Sequence, residues 1–223
     1  MVGFSTFIKS LRTSPTFWIV VANAAIYFTL IFLFPAAELE DIYIYYGLST
    51  VGLGEGRFWQ IFTYAWLHAN FWHLLVNMLC LWFTGRAVEH ILRGRWFCLL
   101  YFLGILGGAL LQMLFAGPEV TLMGASGAVC AVMLGFSTIY CDRKILLLLF
   151  FILPLPLQAR FLGWIIILTS VVSIIYGVDP HIGHAAHLGG ALTGYFFTRA
   201  LGFGRRTLLE KFIGLFQRKT KTE

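Results

Sequence analysis

Long apolar runs alternate with short polar stretches along almost the whole chain. A run of about 20 apolar residues is long enough to cross a bilayer as a helix. Six runs approach or reach this length, and they are Phe17–Phe34, Phe71–Val88, Trp96–Phe115, Ser126–Tyr140, Phe161–Tyr176 and His184–Leu201. The pattern predicts an all-α integral membrane protein, a bundle of six transmembrane helices with a short central fourth helix.

A further apolar piece, Ile145–Leu157, contains Pro154 and Pro156. It is too short to cross a membrane alone, and proline both removes a backbone N–H and interrupts a helix. We therefore expect this piece to be a buried or interfacial segment that precedes the fifth span.

The composition agrees with a membrane protein of one domain. Of its 223 residues, 59% are hydrophobic and 12% are charged, whereas a soluble domain carries about twice that share of charge. We expect residues 1–16 to form a cytoplasmic amino-terminal segment, residues 17–201 the membrane domain, and residues 202–223 a basic cytoplasmic tail. The parts outside the membrane are too short to build a second core.

The positive charges predict the orientation of the spans. If the amino terminus is cytoplasmic, all 16 Lys and Arg residues except Arg57 fall in cytoplasmic loops and tails, as the positive-inside rule requires.

The first outer loop, residues 35–70, is long and contains Phe58, Trp59 and Tyr64, which is typical of an element lying in the membrane interface. The net charge of +6 sits in short loops and tails without interleaved aromatic residues, so we expect no nucleic-acid partner.

Polar side chains inside membrane helices are costly and mark candidate functional residues. The first is Ser126, which opens the fourth span within 123-MGASGAVC-130. This span has 15 residues, about 22 Å at the helical rise against a core of roughly 30 Å, so Ser126 should lie below the outer surface. A nucleophile at a helix N-terminus has backbone N–H groups near it that can stabilise an oxyanion. Alternatively, Ser126 is a helix cap flanked by the packing residues Gly124 and Gly127.

The second candidate is His187, within 183-GHAAHLGGALTG-194. At 100° per residue, Gly183, His187, Gly190 and Gly194 lie within about 60° of one another on a helix. Such a face would let a neighbouring helix approach closely, as the helix of Ser126 must if His187 is to accept the serine proton. Alternatively, a local backbone or side-chain group satisfies the imidazole.

The third candidate is the pair His73 and Asn77, four residues apart near the outer end of the second span. Both are neutral hydrogen-bond donors that could stabilise a developing oxyanion. With Ser126 and His187 they give a nucleophile, a base and two donors at the same predicted depth. No Asp or Glu lies in the outer half of any predicted span, so we expect a Ser–His dyad without an acid.

Other classes of protein fit less well. His181, His184 and His187 recur every three residues, but the first and last diverge by about 120° on a helix. The chain also has no HExxH motif, so we expect no metal and no cofactor. The polar pattern has no internal repeat, which disfavours a transporter. A non-catalytic protein that binds membrane helices stays open, although it need not keep Ser126, His187 and Asn77 together.

These residues resemble the motifs of the rhomboid family of intramembrane serine proteases, and the resemblance runs from roughly Trp59 to Gly194. Its carriers are G-x-S-G in 124-GASG-127, A-H-x-x-G-x-x-x-G in 186-AHLGGALTG-194, and H-x₄-H-x₃-N at His68, His73 and Asn77. G-x-S-G alone is a weak motif, but all three motifs in this order on six spans are specific.

The resemblance implies a serine endopeptidase that cleaves peptide bonds in or beside the transmembrane segments of membrane proteins. It implies that Ser126 is the nucleophile, that His187 is the general base, and that His73 and Asn77 help to bind the oxyanion. Glu89, in 85-GRAVEHI-91, matches a structural glutamate of the family. Expected partners are transmembrane protein substrates and membrane lipids, in a bacterial cytoplasmic membrane with both termini cytoplasmic. The alternative is a non-catalytic rhomboid-like protein that binds membrane helices.

Two positions depart from the family pattern. Members often have Trp-Arg in the first loop, where this chain has Trp59-Gln60. Many members also carry an aromatic residue four positions after the nucleophile, where this chain has Cys130. The departures raise two structural questions: which group anchors the loop, and which ring packs against His187.

Overall fold

A computed structural model gives the fold of residues 13–115, 117, 120–149, 153–179 and 182–204. Most of the predicted amino-terminal segment and of the predicted basic tail lies outside these residues, and so does His181. Within them the fold is predominantly helical, as predicted.

The helices follow one another closely along the chain. In order, they are α1 (Pro15–Leu33), α2 (Ala36–Tyr46), α3 (Thr50–Gly54), α4 (Gln60–Thr63), α5 (Phe71–Cys80), α6 (Arg86–Phe115), α7 (Ser126–Ile139), α8 (Ala159–Tyr176) and α9 (His184–Ala200). A 3₁₀ turn at Tyr64–Trp66 follows α4, and a π-helical turn at Leu81–Gly85 joins α5 to α6. Two strands, β1 (Lys144–Leu149) and β2 (Leu153–Gln158), lie between α7 and α8.

Within the described residues, three helical stretches are long and apolar enough to cross a membrane: Pro15–Leu33, Phe71–Phe115 and Ala159–Tyr176. The middle stretch has 45 residues, about 68 Å at the helical rise and roughly twice the thickness of a bilayer core. Arg93, with φ 63° and ψ 163°, breaks its helical geometry, so this stretch holds the second and third predicted spans with a break between them. Helices α7 and α9 are shorter, with 14 and 17 residues.

The apolar piece Ile145–Leu157 forms most of an antiparallel β-hairpin made by β1 and β2. No strand was predicted there. Pro154 and Pro156 are compatible with a strand because residues two apart direct their N–H positions to the same side, so both missing donors can face an open edge. The Leu146 side chain is exposed, which fits an interfacial position better than a buried one.

Glu89 ties α1 to α6. Its Oε2 accepts hydrogen bonds from the Ser14 hydroxyl at 2.8 Å and from the Thr16 backbone N–H at 3.0 Å. The Ser14 oxygen in turn accepts from the Phe17 N–H and caps α1. The carboxylate also lies near Arg86, 3.6 Å from Oε1. A negative charge at a helix N-terminus is favourable, so Glu89 fixes where the first helix meets the bundle.

Small residues bring α6, α7 and α9 into close contact. A Cβ atom added to Gly104 of α6 would lie 2.6 Å from the Cβ of Ala131 in α7. A Cβ added to Gly194 of α9 would overlap the carbonyl oxygen of the same alanine. Ala128, one turn before Ala131, is buried as well. Close packing of this kind stabilises helix pairs in a membrane, and it places α7 at the centre of the bundle.

The aromatic residues of the first outer loop divide into two groups. Phe58 and Trp59 are exposed, as expected for an element in the membrane interface. Tyr64 is instead buried, and its hydroxyl donates to the Ile105 carbonyl oxygen of α6 at 2.7 Å. The loop therefore has an outward apolar surface and an inward anchor.

Gln60, which stands where family members often have arginine, is fully buried. Its Nε2 donates to the carbonyl oxygens of Ile44 and Tyr45, each at 3.1 Å, and its Oε1 accepts from the Ser49 N–H at 3.2 Å. A Cβ added to Gly52 would overlap the Gln60 amide, so α3 packs directly on it. Gln60 therefore joins α4 to the end of α2 and the start of α3, which answers what anchors the loop.

Replacing Gln60 with leucine should lower the melting temperature of the purified protein in detergent. The change keeps the volume but removes the side-chain partner of the buried Ser49 N–H and of the Ile44 carbonyl, while Tyr45 keeps its bond from Trp59. The expected cost is about 2 kcal/mol, or roughly 4–8 °C. Glu55→Gln is the matched control, because it removes an exposed ion pair with Arg57 in the same loop and should change stability by less than about 0.5 kcal/mol. Equal melting temperatures for the two variants would contradict the anchoring role.

Candidate active site

Ser126 is the first residue of α7, and the first outer loop holds the chain just before it. Gly124 has φ +126°, a conformation that glycine adopts readily and other residues avoid. Its N–H donates to the Tyr64 carbonyl oxygen at 2.9 Å. Leu122 and Leu48 exchange two backbone hydrogen bonds of 2.8 and 2.9 Å. These contacts fix the point at which α7 begins.

His187 lies in the first turn of α9, and its Nε2 is 2.8 Å from the Oγ of Ser126. Its backbone N–H donates to the Gly183 carbonyl oxygen at 2.9 Å. The N–H of Ala186 donates to the Oε1 of Gln112, a buried residue of α6, at 3.1 Å. The Gln112 side chain thus accepts from one of the N–H groups that have no partner within the helix at its N-terminus. Helix α6 therefore helps to position the imidazole.

Gly127 and Gly190 set the distance between α7 and α9 beside this contact. A Cβ added to Gly190 would overlap the Gly127 carbonyl oxygen. A Cβ added to Gly127 would lie 3.3 Å from the Ala186 carbonyl oxygen. Two helices can approach this closely only where side chains are small, and the approach brings Ser126 and His187 within hydrogen-bond reach.

Ser126 and His187 line a cavity of about 780 Å³ whose other walls come from α5, α7 and α8 and from the loops before α5, α7 and α9. His73 and Asn77 line the same cavity. The His73 ring lies against Gly124, where an added Cβ would be 2.6 Å from the ring Cε1. The Asn77 amide donates to the His73 carbonyl oxygen at 2.8 Å, and a primary amide has a second N–H to offer. The structure therefore brings all four residues to one cavity, with the direct contact between Ser126 and His187.

His184 supplies an aromatic ring next to His187. The two ring centroids are 6.0 Å apart and the planes meet at 88°, an edge-to-face arrangement that aromatic pairs favour. Cys130, one turn along α7 from Ser126, lines the cavity without contributing a ring. The ring neighbour of His187 thus comes from its own helix.

His68 packs behind His73, with ring centroids 5.1 Å apart. Burial is the main cause that lowers the pKa of His68 to about 3, and the nearby His73 lowers it further. The His68 imidazole is therefore neutral at neutral pH. It supports the His73 ring without placing a positive charge beside it.

Two supporting residues, Gln112 and His184, are absent from the predicted site. Gln112 is the most polar side chain of the predicted third span. A single amide in an apolar span is a sign of a buried hydrogen-bond partner. The sequence indicates His184 only as a possible metal ligand. In the part of the chain that the structure describes, no group of three or more His, Cys, Asp or Glu side chains could hold a metal ion.

The geometry suits attack on a carbonyl group. A serine hydroxyl within hydrogen-bond reach of an imidazole can be activated by proton transfer to the ring. The start of a helix offers N–H groups to a developing negative charge. Both features meet at Ser126, beside a cavity that also contains the neutral donors His73 and Asn77.

Comparison with known proteins points the same way. The family model described as Rhomboid domain matches residues 55–203. RHOMBOID-like protein 1 of Arabidopsis thaliana is 34% identical over 144 residues, which cover 61% of this chain and 33% of that protein. For Rhomboid protein 1, mitochondrial, of Saccharomyces cerevisiae the identity is also 34% over 144 residues, with 60% and 39% covered. Rhomboid protease GluP of Bacillus subtilis is 29% identical over 168 residues, with 70% and 30% covered.

The chain spans about a third of the length of these relatives, so the likeness concerns one region of each. The family match nevertheless covers more than half of the chain. It includes Ser126 and His187 together with His73 and Asn77. The chain therefore belongs to the rhomboid family.

Proposed function

We propose that this protein is an intramembrane serine endopeptidase that cleaves peptide bonds in or beside the transmembrane segments of other proteins. The observation that carries the proposal is the 2.8 Å contact between His187 Nε2 and Ser126 Oγ, at the first turns of two tightly packed helices. Membership of the rhomboid family supports it, and one relative of this chain is named a protease.

In the proposed mechanism, Ser126 is the nucleophile and His187 is the general base. With its own proton on Nδ1, the imidazole accepts the hydrogen bond of the serine hydroxyl through Nε2. As Oγ bonds to the substrate carbonyl carbon, Nε2 takes the hydroxyl proton and then donates it to the leaving amine as the C–N bond breaks. Water then attacks the acyl-enzyme ester while Nε2 takes one of its protons. As the ester C–O bond breaks, Nε2 returns this proton to Oγ, which releases the acid product and restores Ser126.

His73 and Asn77 are proposed to stabilise the oxyanion of the tetrahedral intermediate. Both are neutral, so they add hydrogen-bond donors without burying a charge. The backbone N–H groups at the start of α7 would act with them. The positive φ of Gly124 supports this role, because glycine lets the backbone pass close to the His73 ring.

Replacing Asn77 with alanine is expected to lower kcat about 100-fold and to change KM little, because the lost hydrogen bond acts mainly in the transition state. Asn23→Ala is the matched control. Asn23 of α1 is also buried and also donates its amide to the carbonyl oxygen four residues earlier, at 2.8 Å from Ile19. Steady-state cleavage of a labelled transmembrane peptide measures both variants. A similar fall in kcat for Asn23→Ala would assign the effect to structure and remove Asn77 from the mechanism.

We further propose that six helices, within residues 17–201, enter the membrane and that both ends of the chain face the cytoplasm, in a bacterial inner membrane. The placement of all Lys and Arg residues except Arg57 on one side supports this orientation. Helix α7, with 14 residues, measures about 21 Å and would be a short fourth span that begins below the outer surface. Substrate segments would reach Ser126 between α5 and α8, which both line the cavity.

Labelling with a fluorescent fluorophosphonate tests the nucleophile directly. The purified protein in detergent should take up the label, and Ser126→Ala should not, because the probe bonds to an activated serine oxygen. Ser173→Ala, which removes a hydroxyl elsewhere in the bundle on α8, should label like the unaltered chain. Labelling that persists in Ser126→Ala would overturn the assignment. If the unaltered chain binds a transmembrane peptide but neither takes up the label nor cleaves the peptide, the protein is a non-catalytic member of the family.

A further inference from the structure

A second cavity, of about 410 Å³, lies at the other end of α7 from Ser126. It is lined by the end of α7, the start of α8 and the end of α9. Thr138, at the end of α7, and Cys141, in the turn that follows, both line it. This cavity is therefore separate from the candidate active site.

Helices α8 and α9 present matching faces to this cavity. Helix α8 contributes Arg160, Gly163, Trp164 and Ile167, which are spaced i, i+3, i+4 and i+7 and so form one stripe. Because Arg160 comes first, the stripe has a cation at one end and apolar side chains beyond it. The eight residues from the arginine to the isoleucine extend over about 10 Å.

Helix α9 repeats the pattern in the opposite direction. It contributes Leu192, Tyr195, Phe196 and Arg199, again at i, i+3, i+4 and i+7. The cation now comes last. Since α8 starts and α9 ends at this cavity, the two helices run in opposite directions along it, and both arginines lie at the same end. The groove between the helices is cationic at that end and apolar along its length.

Neighbouring groups orient both guanidinium groups. Arg160 contacts the Gln158 side chain and lies 3.3 Å from the Asp142 carboxylate. Arg199 donates through Nη1 to the Phe203 carbonyl oxygen at 2.8 Å. A guanidinium has five N–H donors in a planar fork that suits phosphate oxygens. The Asp142 carboxylate offsets part of the Arg160 charge, and the remaining N–H donors of the two guanidinium groups are available to an anion.

The apolar part of the groove is open to the lipid side of the bundle. Trp164 is 57% exposed and Phe196 is 64% exposed, although both belong to the lining. Gly163, which also belongs to the lining, is buried and packs against α7, where an added Cβ would lie 2.6 Å from the Ser137 hydroxyl. An apolar chain could therefore lie along α8 and α9, in contact with apolar side chains on one side and with lipid on the other.

We propose that this groove binds a glycerophospholipid with an anionic headgroup, the phosphate on Arg160 and Arg199 and an acyl chain along the apolar stripe. A free phosphate would use only the cationic end, and an uncharged apolar molecule only the stripe. A phospholipid has both parts in one molecule, joined in the order that the groove presents. Basic pockets between membrane helices favour anionic headgroups over zwitterionic ones for the same electrostatic reason.

The test measures the phosphatidylglycerol that stays bound to the purified full chain in detergent, by native mass spectrometry against phosphatidylcholine of the same acyl composition. The unaltered chain should retain phosphatidylglycerol in clear excess. Arg160→Gln and Arg199→Gln should each weaken retention about fivefold, and the double variant about 30-fold, taking about 1 kcal/mol for each basic residue. Arg95→Gln, which removes an exposed arginine of α6 that lies outside the groove, should leave retention unchanged.

Two results would overturn the proposal. Equal retention of the two lipids by the unaltered chain would show that the headgroup charge does not affect binding. This outcome does not depend on whether any variant folds. Equal loss in Arg95→Gln and in the groove variants would show a general effect of net charge. As a third arm, excess inorganic phosphate should not displace the lipid. Complete displacement would make the cationic end a phosphate site without a lipid role.

Discussion

The Ser126→Ala variant is expected to cleave a transmembrane substrate about 10⁴-fold more slowly than the unaltered chain, or more slowly still. The serine Oγ is the atom proposed to attack, and a methyl group cannot replace it. His187→Ala should show a loss of similar size, because the hydroxyl at 2.8 Å from Nε2 then keeps its proton. The measurement is the rate of product formation from a single-span substrate, reconstituted with each purified variant in lipid vesicles and followed by mass spectrometry.

The double variant gives the sharper comparison. If Ser126 and His187 act as one unit, removing both should slow cleavage no further than removing the serine alone, because the second residue has no remaining role. Ser173→Ala should keep the full rate. If the loss in the double variant equals the product of the two single losses, the two residues act independently. Cleavage by Ser126→Ala at the unaltered rate would disprove the protease assignment. Loss in Ser126→Ala with full activity in His187→Ala would require a different base.

The candidate site could be found from the sequence because apolar runs make its polar residues conspicuous. Ser126 and His187 each stand beside glycines in segments that are otherwise apolar. Helical periodicity then places Gly190 and Gly194 on the face of His187. The structure has these two glycines against α7, at the carbonyl oxygens of Gly127 and Ala131. Helical periodicity shows which residues share a face of a helix, even when the rest of the fold is unknown.

The supporting contacts could not be found in this way. Gln60 binds the carbonyl oxygens of Ile44 and Tyr45, and Gln112 binds the N–H of Ala186. Their partners are backbone groups, which every residue has, so the sequence gives no sign of which ones are chosen. The separation of Gln112 from its partner is 74 residues. Only the packed fold brings such groups together.

The hairpin of β1 and β2 was missed for a different reason. A short apolar run bounded by polar residues fits a buried helix and a strand equally well. Prolines lower the expectation of a strand, because proline cannot donate to a neighbouring strand. Pairing with β1 resolves the ambiguity, since Pro154 and Pro156 then lie on a two-stranded ladder with an open edge.

The α7–α9 contact has the least room for change of any near the site. Gly190→Ala should lower the free energy of unfolding by at least about 3 kcal/mol, because the new methyl group overlaps the Gly127 carbonyl oxygen. Alanine favours a helix over glycine by about 1 kcal/mol, so the intrinsic effect has the opposite sign. Destabilisation can therefore be assigned to the contact. Thermal unfolding in detergent gives the change.

Gly54→Ala is the control, because Gly54 is also a helical glycine with no neighbouring atom within 4 Å of an added Cβ. It should be neutral or slightly stabilising. Folded Gly190→Ala should also label with fluorophosphonate about 100-fold more slowly, because separating α7 from α9 by about 1 Å breaks the alignment of Ser126 and His187. A Gly190→Ala protein as stable and as reactive as the unaltered chain would mean that the two helices adjust without moving the site. Reduced stability with full labelling would separate packing from function, since the dyad would then tolerate a wider helix spacing than the glycines impose.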